Sequence, residues 1–371
     1  MGVMKDYTTL GRSGLRVSPL SLGTMTFGTE WGFGTEEAAS RAIFDAYLEV
    51  GGNFIDTADG YTGGHSEQMV GKFVAERKLR ERVVIATKFT FSADRSNPNA
   101  GGNGRKNIYR ALEGSLRRLK TDYVDLYWLH AWDRITPAEE VLSTMNDLVR
   151  EGEILHYGFS NVPAWYLARI ATLAEKEGKE QPIALQLEYS LAERNIEHEF
   201  FPAAQEFGMG ICPWSPLAGG FLTGKYRRTA QGSEGEGRLQ KMKGAGNPAF
   251  ERTTERNWRI LDALLEVAVE AGRKPAQVAL NWVAAQPGVS STIIGATSVE
   301  QLRENLAALD FTLPQDLSAK LTRASAPEIS HPYMFFREPF TEMINGNAPV
   351  HSWSAGRPST APTDRREAAR A

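Results

Sequence analysis

The sequence predicts an α/β fold of the (β/α)8, or TIM-barrel, class, with long loops at the C-terminal face and a C-terminal tail. Three observations point there. Eight short apolar runs alternate with amphipathic helical patterns along most of the 371 residues. The runs are continuously apolar rather than alternating, so the strands are covered on both faces, as in a parallel sheet. Right-handed crossovers permit few arrangements of such units, and eight of them fit a closed barrel better than an open sheet.

Taken in order, Val17 to Leu22 is the first predicted strand, ending at Gly23. Thr35 to Glu49 follows as a helix, because Ala38, Ala42, Ile43, Ala46 and Tyr47 recur near one face. Asn53 to Asp56 is the second strand and Ser66 to Lys78 its helix, with Ser66 the expected N-cap. Val83 to Lys88 is the third strand, with Ile108 to Leu119 as its helix. Tyr123 to His130 is the fourth. Thr136-Pro137-Ala138-Glu139 is a capping box with proline at the first helical position, and it opens a helix to about Arg150. Ile154 to Ser160 is the fifth strand, and Pro163 opens a helix that ends before Gly178. Ile183 to Glu188 and a helix over Glu197 to Glu206 form the sixth unit. Gly210 to Trp214 is the seventh strand, followed after a long loop by helices over Thr254 to Ala271 and Ala276 to Gln286. Ser291 to Ile294 is the eighth strand, ending at Gly295. Ser298 with Gln301 makes a second capping box, and Val299, Leu302, Leu306 and Leu309 share the apolar face of the helix it starts.

Phe89 to Asn107 and Arg227 to Ala249 are long glycine-rich loops on the C-terminal edge, where they can cover a ligand. The barrel is expected over residues 1–323. The tail, 324–371, begins with aromatics and is expected to be partly ordered over the barrel. From about Gly356 it is rich in Pro, Ala and Arg, and a flexible end is expected.

A formal net charge of -3 gives no electrostatic case for nucleic acid or an anionic membrane. No apolar run approaches the ~20 residues of a membrane-spanning helix, and the first ten residues lack the apolar core of a signal peptide. The single Cys212 cannot form an intramolecular disulfide, which fits a reducing cytoplasm; it is expected as a buried strand thiol. No cluster of Cys and His has metal-ligand spacing, so no metal is expected.

Three of the predicted strands end in a polar residue: Asp56, Lys88 and His130, with Tyr61 five residues past the first. In parallel α/β folds that edge carries the chemistry. The four types fit hydride transfer to or from a carbonyl. Negative charge develops on the carbonyl oxygen, so a proton donor must reach it. A free tyrosine, with a pKa of about 10, shuttles protons poorly at neutral pH, and a nearby ammonium lowers that value. Lys88 is expected to supply the ammonium, Asp56 to hold Lys88, and His130 to orient the carbonyl. Each residue alone has a bland reading as a turn cap, a packing residue or a core histidine. The four together on one barrel edge do not.

Longer strings carry a resemblance. They are Gly51-Gly52-Asn53-Phe54-Ile55-Asp56-Thr57-Ala58-Asp59-Gly60-Tyr61, Ala86-Thr87-Lys88, Asp122 through His130, Gly158-Phe159-Ser160-Asn161, Pro213 through Gly220 running to Gly224-Lys225-Tyr226, and Ile294-Gly295-Ala296-Thr297. From about Tyr7 to Leu313 the chain resembles the aldo-keto reductase superfamily, and within it the bacterial oxidoreductases that share ancestry with potassium-channel beta subunits. The resemblance implies a nicotinamide cofactor bound without a Rossmann domain, and no Gly-x-Gly-x-x-Gly lies between a strand and a helix here. It implies Tyr61 as general acid/base among Asp56, Lys88 and His130. It implies Ser160, Asn161 and Gln186 at the nicotinamide carboxamide and Trp214 against the ring. Ser215, Pro216, Leu217, Gly219 and Lys225 fall on the pyrophosphate path, and Gly295, Thr297, Gln301, Glu304 and Asn305 at the adenosine end.

One departure bears on the cofactor. Many relatives carry an arginine for the 2′-phosphate about where Thr297 stands, although some NADPH-binding relatives carry a hydroxyl residue there. Lys225, Arg227 and Arg228 are expected to supply the charge instead, so NADPH is expected ahead of NADH. Trp31, Phe89, Phe91 and Trp132, with Phe335 or Phe336 of the tail, are candidate walls of the substrate pocket, and they favour an apolar or aromatic carbonyl. The expected function is NADPH-dependent reduction of aldehydes or ketones to alcohols, or the reverse, in the cytoplasm. The alternative is a cofactor-binding, redox-sensing regulatory subunit with slow turnover. The sequence gives no oligomeric state, and no basic patch or coiled coil marks a partner surface.

Overall fold

A computed structural model describes residues 3–229, 232–241 and 251–346. Eight parallel strands form the barrel: β1 (Leu20–Gly23), β2 (Phe54–Asp56), β3 (Val84–Phe89), β4 (Val124–Leu129), β5 (Ile154–Ser160), β6 (Ala184–Gln186), β7 (Gly210–Ile211) and β8 (Thr292–Ile294). Neighbours pair in sequence order, and β8 returns to β1 through Thr292↔Leu20 and Ile294↔Leu22. The β7–β8 seam closes through the Ile211↔Val289 bridge and the Ile293 N–H on the Pro213 carbonyl at 2.8 Å. Helices α1 (Glu37–Glu49), α2 (His65–Glu76), α3 (Arg105–Leu119), α4 (Ala138–Glu151), α5 (Ala164–Glu177) and α6 (Phe200–Phe207) each follow a strand. α7 (Glu255–Glu270) and α8 (Pro275–Ala284) precede β8, and α9 (Val299–Leu306) and α10 (Gln315–Ala324) close the unit.

The strands are short where proline or polar residues interrupt the ladder. The first predicted strand splits at Ser18-Pro19, because Pro19 has no N–H to give. Arg16–Val17 pairs instead with Thr8–Thr9 in an antiparallel hairpin. Leu10 and Val17 of that hairpin join the apolar cluster inside the barrel and plug its N-terminal end. Pro213 cuts the seventh strand in the same way. Ser66 does not cap α2. It sits within the helix, wholly buried, and its hydroxyl bonds Thr24 and Thr57. Ser298 caps α9 as expected, accepting from the Gln301 N–H.

Alternation along each strand sorts side chains into two cores. Ile55, Ile85, Tyr127, Leu129, Phe159 and Leu185 point out to the helices. Phe54, Val84, Ala86, Leu126, Trp128, Ala184 and Cys212 point into the barrel. Cys212 is buried and free. Gly158 makes room for this inner packing: a Cβ there would stand 2.5 Å from the Trp128 ring and 2.5 Å from the Ala184 carbonyl. Gly158→Ala is therefore expected to cost about 1–3 kcal/mol, read as a lowered midpoint in thermal or urea unfolding.

The chain divides into two compact units, residues 1–327 and 328–371. In the first, Ser325 is wholly buried and accepts from Arg194, so the unit runs a few residues past 323. In the second, a single turn over Tyr333–Phe336 and a short helix over Phe340–Asn345 are described. The stretch from Gly356, expected to be flexible, lies outside the described residues. Among the described residues, no helix is long and apolar enough to cross a membrane and no group of three or more His, Cys, Asp or Glu is placed to hold a metal.

Candidate active site

The alternation that builds the inner core also aims the predicted site. Asp56, Lys88, Ser160 and Gln186 occupy the inward register at the C-terminal ends of β2, β3, β5 and β6. Lys88 is wholly buried and has three acceptors: Asp56 Oδ1 at 2.5 Å, the Thr57 carbonyl at 2.7 Å and Tyr61 Oη at 2.9 Å. Asp56 is held in turn by Trp128 Nε1 at 3.1 Å and Gln186 Nε2 at 2.7 Å, both on Oδ2. Trp128 was not among the predicted site residues. Its place on β4, two residues before His130, is the signal that points it inward. Gln186 turns its amide nitrogen to Asp56 and keeps its carbonyl free of that bond.

Tyr61 comes from the turn after β2, where Thr57 and Asp59 N–H groups bond the Ala86 and Lys88 carbonyls and pin the turn to β3. The His130 ring lies 6.1 Å from the Tyr61 ring, edge-on, and its buried Nδ1 has no partner. Burial, with Lys88 nearby, depresses the His130 pKa well below the usual value, so the imidazole is neutral at neutral pH. Burial also disfavours charge on Lys88, but Asp56 and Tyr61 outweigh it and hold the ammonium above its usual value. For Tyr61 the net direction differs from the expectation. Burial raises its pKa more than Lys88 lowers it, because desolvating a phenolate costs more here than one shared ammonium returns. The phenol thus keeps its proton at neutral pH.

Next to the tetrad, the buried Asp59 Oδ1 has no hydrogen-bond partner. Burial and the neighbouring Glu67 push the Asp59 carboxyl up to about 7, against Arg118 and Arg110. Glu67 itself is wholly buried, paired with Arg118 and accepting from Thr87. The native state thus holds a proton on Asp59 up to about pH 7, while the unfolded chain releases it near 3.8. This contribution to stability is complete below the lower value and is lost as pH rises through the upper one. Asp59→Asn removes the dependence, and is expected to be more stable than the parent by about 1–3 kcal/mol above pH ~8. Unfolding midpoints across the pH range check this; an unchanged slope between the two values contradicts it.

The predicted cofactor residues fall into local hydrogen-bonded groups. Ser160 is wholly buried, and its hydroxyl accepts from Asn161 Nδ2. Asn161 also donates to the His130 carbonyl and accepts from Trp214 Nε1 at 3.3 Å. Asn161, Ser215 and Ala218 all have positive φ, a strained backbone of the kind that gathers at functional sites. Ser215 Oγ accepts from the Gly219 N–H, and Gly219 and Gly220 carry the turn at φ 67° and 93°. At the other end Gln301 Oε1 takes both the N–H and the hydroxyl of Thr297, Asn305 bonds the Gly295 carbonyl, and Glu304 pairs with Lys274. Pro216 and Leu217 follow Ser215 in the turn after β7.

Arg228 is engaged by Glu255, and Arg227 is exposed. Arg238 was missed. It opens the helical turn Arg238–Lys241, its guanidinium lies 4.8 Å over the Phe33 ring, and it acts on Tyr61 electrostatically. Burial lowers the pKa of both Lys225 and Arg238, and Arg238 adds to the effect on Lys225. Among the described residues neither has a carboxylate partner. Lys225 is exposed and Arg238 half-buried, so two cations without a carboxylate partner stand beside a strained turn where an anion can reach them. The only signal in the sequence was the Gly235-Glu236-Gly237-Arg238 string within a charged loop.

Of the predicted walls, Trp31 stands edge-on to Tyr61 at 6.0 Å and is 41% exposed. Phe91 stands edge-on to His130 at 4.7 Å and is 56% exposed. Trp132 packs on Trp165 and Tyr166. Phe89 is not a wall. It follows Lys88, so alternation turns it outward, where it is wholly buried 4.8 Å from Tyr127.

The family and the relatives of this (β/α)8 barrel make it an enzyme of the oxidoreductase class. The chain belongs to the Aldo/keto reductase family, whose pattern matches residues 19–326. It is 38% identical to the uncharacterized oxidoreductase YrpG of Bacillus subtilis, over 84% of this chain and 93% of that protein. It is also 38% identical to a probable voltage-gated potassium channel subunit beta of Oryza sativa subsp. japonica, over 82% and 91%. An aryl-alcohol dehydrogenase of Pestalotiopsis microspora is 32% identical, over 90% and 84%.

Proposed function

We propose that the protein is an NADPH-dependent carbonyl reductase, working in the cytoplasm on aryl aldehydes or ketones, or in reverse on the corresponding alcohols. The observation that carries this is the Lys88 ammonium bonded at once to Asp56 and Tyr61, with a neutral His130 ring facing the same phenol. A nicotinamide cofactor, when bound, supplies or accepts the hydride at the carbonyl carbon. Tyr61 Oη gives its proton to the carbonyl oxygen, and Lys88 at 2.9 Å stabilises the phenolate left behind. His130, uncharged, orients that oxygen without competing for the proton. Asp56 keeps Lys88 charged and in place.

Ser160, Asn161 and the free Gln186 carbonyl suit the carboxamide, and Trp214 the ring face. Ser215, Pro216, Leu217 and Gly219, with Lys225 and Arg238, suit the pyrophosphate. Gly295, Thr297, Gln301, Glu304 and Asn305 suit the adenosine end. Arg227, exposed on the same loop as Lys225, is offered for the 2′-phosphate, and on that ground NADPH is taken ahead of NADH. Trp31 and Phe91, exposed on either side of the Tyr61–His130 pair, support an aryl substrate, as does a relative named aryl-alcohol dehydrogenase. The test is loss of reduced-nicotinamide absorbance with NADPH and NADH in parallel, against aryl and alkyl aldehydes. NADPH-dependent turnover that favours aryl aldehydes is expected. Tight NADPH binding with no turnover would replace this reading with a cofactor-sensing subunit.

A further inference from the structure

Phe91 is more than half exposed, so burial does not explain why its ring stands against His130. Its backbone neighbour does. Thr90 has φ 122°, a conformation that a β-branched residue rarely adopts and that persists only where the surroundings enforce it. Those surroundings are largely one side chain. Asn103 is wholly buried; its Oδ1 accepts the Thr90 hydroxyl at 2.7 Å, and its Nδ2 donates to the Ala131 carbonyl at 2.9 Å. Its own N–H is anchored on Asp133 Oδ2 at 2.8 Å, and the Gly102 N–H bonds the Thr90 carbonyl at 2.8 Å. A single planar amide thus ties the residue before Phe91 to the residue after His130.

We propose that Asn103 is a positioning residue for the substrate slot: through Thr90 and Ala131 it sets the distance between Phe91 and His130, and with it the preference for a flat aryl carbonyl. The proposal rests on the aryl-carbonyl reading above. Asn103 touches none of the tetrad side chains, so its loss acts on substrate fit and leaves proton transfer intact.

The experiment compares Asn103→Leu, Thr90→Gly and Phe91→Ala with the parent, using benzaldehyde and propanal with NADPH. Thr90→Gly tolerates the positive φ and folds even where Asn103→Leu does not. All three are expected to raise KM for benzaldehyde about tenfold, and the first two to leave kcat and KM for propanal within about twofold. Amide hydrogen exchange over residues 89–93 is measured alongside and is expected to speed up in Asn103→Leu and Thr90→Gly. An aryl-to-alkyl ratio shifted by Phe91→Ala but by neither of the other two overturns the proposal. If the parent reduces neither aldehyde, the functional reading fails, and hydrogen exchange alone then decides whether the clamp exists. Unchanged exchange in Thr90→Gly overturns it.

Discussion

Tyr61→Phe is expected to lower turnover about 10²–10⁴-fold while cofactor affinity stays nearly unchanged. The hydroxyl is the only group removed, and it acts where charge develops on the carbonyl oxygen. The ring still packs between Trp31 and His130, so the walls of the slot stay in place. Lys88 loses its 2.9 Å contact with Oη but keeps Asp56 and the Thr57 carbonyl, so the buried ammonium is still satisfied and folding is preserved. Steady-state turnover and a fluorescence titration with NADPH together check this. Turnover near the parent's would remove Tyr61 from the role of proton donor.

Lys88→Met is expected to abolish activity and also to destabilise the protein by about 3–5 kcal/mol, because it leaves the Asp56 charge buried without a counter-charge. Trp128 Nε1 and Gln186 Nε2 still bond Asp56, but both are neutral donors. Asp56→Asn added to Lys88→Met relieves the unpaired charge. The double variant is expected to be more stable than Lys88→Met alone yet equally inactive. Unfolding midpoints of the two single variants and the double complete the cycle. Equal stability of Lys88→Met and the double variant would mean that removing the ammonium leaves no unpaired charge at Asp56.

The fold was largely legible because its signals are local. Apolar runs of strand length, proline and glycine punctuation and the Ser298–Gln301 cap each report on a few neighbouring residues. The misplacements have equally local causes that the pattern hides. Pro19 and Pro213 sit inside apolar runs and break the ladder by lacking an N–H. Ser66 looked like a cap but is drawn into the buried hydroxyl chain with Thr24 and Thr57.

The residue types Asp56, Tyr61, Lys88 and His130, and their places at strand ends, can be read from the sequence alone, because spacing along a strand carries that information. The two sides of the barrel could not be assigned from continuous apolar runs, where inward and outward positions look alike. Only the closed sheet decided that Lys88 faces Asp56 inside while Phe89 packs on Tyr127 outside. Only it brought Trp128 and Gln186 onto Asp56, and Arg238 across from the far loop to Phe33 and the field of Tyr61. The direction of the Tyr61 shift belongs to the tertiary structure for the same reason. A neighbouring charge can be guessed from sequence, whereas desolvation depends on everything the fold packs around the group.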